Sequence, residues 1–89
     1  LKMSCGAFSD GKPMDDRVKG LAMSVKGMVE AKLQPFTVYE PLNYKKQIVS
    51  GTNYLIQIKV DGDKTICIKV FQPLPCNGTE LQVLEAAFV

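Results

Sequence analysis

From Asn53 to Val60 the chain alternates, with Tyr54, Ile56, Ile58 and Val60 apolar and Asn53, Gln57 and Lys59 polar. A period of two marks a strand with one buried and one wet face. Just upstream, Ser50-Gly51 interrupts the pattern, and glycine tolerates a positive φ or a close backbone approach. Ile48 and Val49 are thereby pushed out as a short apolar tip between two strands. Apolar side chains at a loop tip are costly in water unless a partner covers them. The tip is the first candidate for function.

The segments around this strand predict the rest of the architecture. Between about Asp15 and Leu33 the period becomes helical: Val18, Leu21, Ala22, Val25, Met28, Val29 and Leu33 share one face and are expected in the core. Asp15 and Asp16 stand where an N-cap and the helix dipole favour acidic groups, and Pro35 ends the helix. Residues 36–49 read as a strand in which Phe36, Val38, Leu42, Tyr44 and Ile48 alternate, while Pro41 implies an edge position or a bulge. After the 53–60 strand, Asp61-Gly62-Asp63 is a hairpin turn. Ile66, Ile68 and Val70 then line one face of a strand from Lys64 to Phe71, and a final strand runs from about Glu80 to Phe88. One helix followed by strands joined by short turns predicts an α+β fold, with an antiparallel β-sheet of about four to five strands wrapped around one long α-helix. Nothing divides the chain, so residues 1–89 are read as a single domain, with Leu1-Lys2 ahead of Met3 taken as extraneous to it.

Composition narrows the function. With 11 basic and 9 acidic side chains the net charge is only +2, and no basic stripe is interleaved with aromatics, which speaks against a nucleic-acid partner. No apolar run approaches a membrane span, so no membrane partner is expected. The chain lacks His altogether, which removes the usual base partner of a nucleophilic Cys and any Cys/His zinc site. Asp15-Asp16 and Asp61-x-Asp63 are carboxylate pairs already explained by a helix start and a turn. An enzyme, a cofactor or a bound metal is therefore not expected. Cys5, Cys67 and Cys76 form an odd, widely spaced set, unlike the dense even set of a disulfide-stapled secreted domain. With no leader-like segment, this favours a reducing, cytoplasmic setting.

Residues 3–14 have no period and contain Gly6, Gly11 and Pro13, and are read either as a frayed end or as an extended arm bearing Met3, Cys5, Ala7 and Phe8. Gln47-Ile48-Val49-Ser50-Gly51 matches Gln-x-Val-x-Gly, the first-hairpin motif of the cystatins, and is followed by Thr-Asn-Tyr, a frequent stefin continuation. Met3-Ser4-Cys5-Gly6 is similar to a stefin start, and Leu74-Pro75 to the second hairpin of that branch. In order, these features cover nearly the whole chain. Secreted cystatins carry two C-terminal disulfides and usually Pro-Trp in the second loop; here there is no Trp and there are too few Cys, so the chain resembles the stefin branch.

The resemblance implies a reversible, competitive, non-covalent inhibitor of papain-like cysteine proteases such as cathepsins. Its protease-binding residues would be Gly6, Gln47, Ile48, Val49, Ser50, Gly51, Leu74, Pro75 and Cys76. A cytoplasmic protein is expected from the cysteine usage, with extracellular release by a non-classical route as a further expectation. Each residue has a plainer reading. Gln47 could satisfy hairpin backbone groups, Leu74 could be core, and Pro75 could simply end a strand. Cys76 stands where many stefins have His or another polar residue, and is either an oxidisable thiol at the rim or a buried inert one. Asn77-Gly78-Thr79 matches a glycosylation sequon but is equally a good turn, and is expected unmodified. The inhibitor is expected to be a monomer. The alternative is a non-inhibitory binding or assembly protein on the same scaffold, in which the 47–51 hairpin opens to give a domain-swapped dimer.

Overall fold

Asp15 starts the helical region as anticipated. In the computed structural model, which describes residues 12–78 and 80–89, its extended backbone caps α1 (Asp16–Ser24), and its carboxylate accepts from the Val18 N–H at 2.8 Å. The same carboxylate accepts from the Tyr44 hydroxyl at 2.8 Å, which ties the first turn of the helix to the sheet. The single long helix expected over residues 15–33 is instead two segments, α1 and α2 (Lys26–Lys32), that meet at Val25, where φ is −97° and ψ is 7°. Ser24 Oγ donates back to the Gly20 carbonyl at 2.8 Å, a contact that competes with the helical ladder and bends it. The Val25 N–H accordingly reaches the Leu21 carbonyl at a long 3.3 Å, while the Val29 N–H reaches Val25 normally at 3.0 Å.

The break alters the apolar face. Val18, Leu21, Ala22, Val25 and Val29 are buried, and Leu33 packs partly against them. Met28, expected in the core, is 42% exposed. Beyond Val25 the buried stripe narrows to the i, i+4 step from Val25 to Val29, which leaves Met28 to one side.

Among the described residues, five strands form one antiparallel sheet in sequential order: β1 (Lys12–Pro13), β2 (Tyr39–Val49), β3 (Gly51–Val60), β4 (Lys64–Pro73) and β5 (Gln82–Phe88). β1 pairs Lys12 with Tyr44 and Pro13 with Asn43 of β2. The alternation read in β3 and β4 holds: Tyr54, Ile56, Ile58, Val60, Ile66, Ile68 and Val70 are all buried against the helices. Cys67, on the opposite face of β4, is also buried. It is disulfide-bonded, which corrects the expectation that this cysteine set carries no disulfide.

Pro41 does mark a bulge. The β2–β3 register shifts between Pro41 and Asn43, so the inward residues run Tyr39, Pro41 and then Tyr44. One extra residue in a strand reverses the face of everything beyond it. This corrects the alternation expected for 36–49: Leu42 and Val38 are exposed, and Tyr39 takes the inward place. The Tyr39 hydroxyl donates to the Ala22 carbonyl at 3.0 Å, and the Tyr44 and Tyr54 rings lie 6.4 Å apart beneath α1. Burial and the neighbouring Glu30 raise the Tyr39 phenol well above its usual range, so it stays a donor.

At the end of the sheet where β3 turns into β4, carboxylates hold the connector from α2 to β2. Glu30 accepts from the Phe36 N–H at 2.9 Å, and Asp61 accepts from the Thr37 N–H at 3.0 Å and from the Val38 N–H. These backbone donors keep Asp61 ionised below the ordinary aspartate range, just as the Val18 N–H and then the Tyr44 hydroxyl do for Asp15. A carboxylate whose folded pKa is depressed adds stability above its unfolded value, near about 4, and loses it as pH falls through the folded value. The urea midpoint is therefore expected to hold steady from neutral pH to about pH 5 and to drop below about pH 4. Asp61→Ala should lower the midpoint at neutral pH and flatten the acid limb; an unchanged limb would remove Asp61 from this role.

Candidate functional site

The β2–β3 hairpin closes with very little chain. Gln47 pairs with Asn53, Ile48 with Thr52 and Val49 with Gly51, so Ser50 alone spans the turn. Gly51 has φ +135°, a backbone state that side chains rarely adopt. It is also pressed against β4, where an added Cβ would meet the Gln72 carbonyl oxygen at 2.7 Å. The turn at Ser50-Gly51 thus needs glycine for both conformation and space. At the tip Ile48 is 75% exposed, and Gln47 and Ser50 are exposed beside it.

β4 brings the second segment to the same place. Gly51 pairs with Pro73 and Thr52 with Gln72, so Leu74 leaves the sheet immediately beside the hairpin tip. Leu74 is extended (φ −61°, ψ 147°) and 44% exposed, which disposes of its reading as a core residue. Pro75 opens a 3-10 turn, Pro75–Asn77, where its fixed φ and missing N–H suit the first helical position. The turn is closed by the Gly78 N–H donating to the Pro75 carbonyl at 3.3 Å. Cys76 is a free, exposed thiol, so the buried alternative is excluded.

Of the residues singled out in the sequence, Gln47 through Gly51 and Leu74 through Cys76 are therefore brought to one end of the sheet. Gly6 lies outside the described residues. This edge is small, apolar and rich in backbone. The carboxylate pairs noted in the sequence lie elsewhere, at the start of α1 and in the β3–β4 turn.

Sequence reasoning missed the support beneath the tip. Phe71 stands on the side of β4 opposite Ile66, Ile68 and Val70, where its neighbours in sequence alternation are Thr65 and Lys69. An aromatic residue at a position that the period assigns to the wet face was the available signal. The Tyr54 hydroxyl also approaches Gln72 Oε1 at 3.4 Å, from the strand on the other side of the Gly51 pairing.

Comparison with known proteins agrees with this geometry. A family model described as the cystatin domain matches residues 6–86. The chain is 43% identical to cystatin-B of Mus musculus over 80 residues, covering 89% of this chain and 82% of that protein. It is 36% identical to cystatin-A of Felis catus over 77 residues, 85% of this chain and 79% of the relative. To stefin-C of Bos taurus it is 37% identical over 71 residues, 79% and 70% of the respective lengths. The chain belongs to the cystatin family. Its relatives place it in the stefin, or type 1, branch, whose members are non-catalytic inhibitors.

Gly51→Ala is expected to destabilise the fold by about 1–3 kcal/mol, from backbone strain and the clash with the Gln72 carbonyl. A urea titration reads this directly; an unchanged midpoint would show that the hairpin can turn without glycine.

Proposed function

We propose that this chain blocks the active-site cleft of a papain-like cysteine protease with a wedge built from the Gln47–Gly51 hairpin and the Leu74–Cys76 loop. Family membership supports a papain-family protease-inhibitor role in general. The observation that carries the finer reading is the Gly51–Pro73 pairing, because it sets two exposed apolar tips, Ile48 and Leu74, side by side. Gly6 would contribute a third segment, the N-terminal trunk along the unprimed side of the cleft, as the resemblance implies.

Such a wedge works by burial and shape. Moving an Ile or Leu side chain from water into a groove is worth about 1.5–3 kcal/mol each, and a surface that is already formed loses little of that gain to ordering. The extended strand ends and the proline turn supply backbone groups for polar contacts at the rim. Inhibition on this reading is competitive, reversible and non-covalent, and the target is a cathepsin-type enzyme. Cys76, exposed at the edge of the second loop, would then be a rim contact.

The test is the hydrolysis of a fluorogenic peptide by papain as monomeric protein is titrated in. A reversible fall in rate that substrate can relieve is expected. Ile48→Asp should raise the inhibition constant by at least about tenfold, since it removes the apolar gain and places a carboxylate in the cleft. Ile48 is largely exposed, so the fold should be unaffected. Full papain activity with micromolar monomer, or undiminished inhibition by Ile48→Asp, would overturn the wedge.

A further inference from the structure

Phe71 carries a role that neither its position in the core pattern nor the wedge itself explains. Ile66, Ile68 and Val70 of β4 point to the helices and are fully buried, so Phe71 projects from the opposite face. Its ring lies against the hairpin tip: a Cβ placed on Gly51 would come 2.7 Å from Cζ and 2.8 Å from Cε1. Gly51 is accordingly buried, although its neighbours Ser50 and Ile48 are exposed. An aromatic ring laid over a glycine on the neighbouring strand restores the contact that glycine cannot make, and pins the pairing there. Phe71 also lies on the strand that becomes Leu74-Pro75. One side chain therefore bridges the tip of the first loop and the stem of the second.

We propose that Phe71 is a positioning residue for protease inhibition, whose ring, acting through Gly51, holds the Gln47–Gly51 tip in place relative to the Leu74–Cys76 loop. The inference rests on the wedge reading. Two loops bind one rigid cleft well only if their relative position is set beforehand, since any freedom they retain must be lost on binding. The pairing of Gly51 with Pro73 fixes the backbone register but leaves a hairpin closed by one residue free to rock about that last pair. The ring on the outer face opposes that motion.

The experiment uses the full chain with Phe71→Leu, and with Phe71→Met as a second variant should the first fold poorly. Phe71 is only partly buried and both replacements are apolar. Two readouts are taken on each protein. Association and dissociation rates with papain are measured, and the Gly51 Hα resonances are recorded by NMR, where a ring stacked on the glycine shifts them upfield. The wild type is expected to show the shifted Gly51 signal. The variants are expected to lose it while keeping the remaining spectrum, and to dissociate from papain about 10- to 100-fold faster with association changed little.

A merely structural role would lower the urea midpoint without altering the dissociation rate of the folded fraction. That result, or an unshifted Gly51 signal in the wild type, overturns the inference while the wedge stands. A wild type that fails to slow papain overturns the wedge reading and the inference with it. A shifted Gly51 signal in that case would show that the packing is present and the binding reading is at fault.

Discussion

The unbroken pairing of β3 with β4, from Gly51 opposite Pro73 to Val60 opposite Lys64, is the constraint on which the rest of the molecule depends. It places Ile56, Ile58, Ile66 and Ile68 in one layer, all fully buried, and gives the helices an apolar floor. The same register puts both candidate binding loops at one end of the sheet. A slip of one residue would turn the isoleucines to solvent and part the Gly51–Pro73 pair together, because side chains alternate with a period of two. Core and candidate site are thus secured by one ladder.

Around that ladder the irregularities are local solutions to packing. The bulge after Pro41 changes the face of β2, which allows both Tyr39 and Tyr44 to point inward. Each tyrosine then uses its hydroxyl on the helical layer, Tyr39 on the Ala22 carbonyl and Tyr44 on the Asp15 carboxylate. Buried rings with a polar end need such partners. The break at Val25 divides α1 from α2, and Val25 itself stays fully buried where they meet.

The two ends of the sheet differ in kind. At the β3–β4 turn, Asp61 and Glu30 bind successive backbone donors of the α2–β2 connector, Lys26 lies 3.9 Å from Glu30, and Lys59 lies 3.6 Å from Asp63. Charge there is spent on fastening the chain, and its value varies with pH. The opposite end has the exposed side chains of Ile48 and Leu74 and a glycine that no other residue can replace without strain. Apolar surface left uncovered at a pair of tight loops is a feature that stability alone does not select.

Much of this was legible in the residues. The strands over Tyr54–Val60 and Ile66–Val70, the Asp15 cap and the turn at Asp61-Gly62-Asp63 follow from backbone periods and local chemistry, which neighbouring residues express by themselves. Gln47 to Gly51 and Leu74-Pro75 could be singled out because their residue types are anomalous for a core and match a known family. The exposure of Met28, the inward turn of Tyr39 in place of Val38 and Leu42, and the break at Val25 could not be read this way. Each depends on a bulge or a bend that shifts the phase of a pattern without changing its composition. The contact of Phe71 with Gly51 lies further still from the sequence. The two residues are twenty positions apart in the chain, and only the pairing of β3 with β4 decides that an aromatic ring should lie where a glycine leaves room. Local periodicity determined which segments become helix and strand; the register between distant strands determined which residues meet.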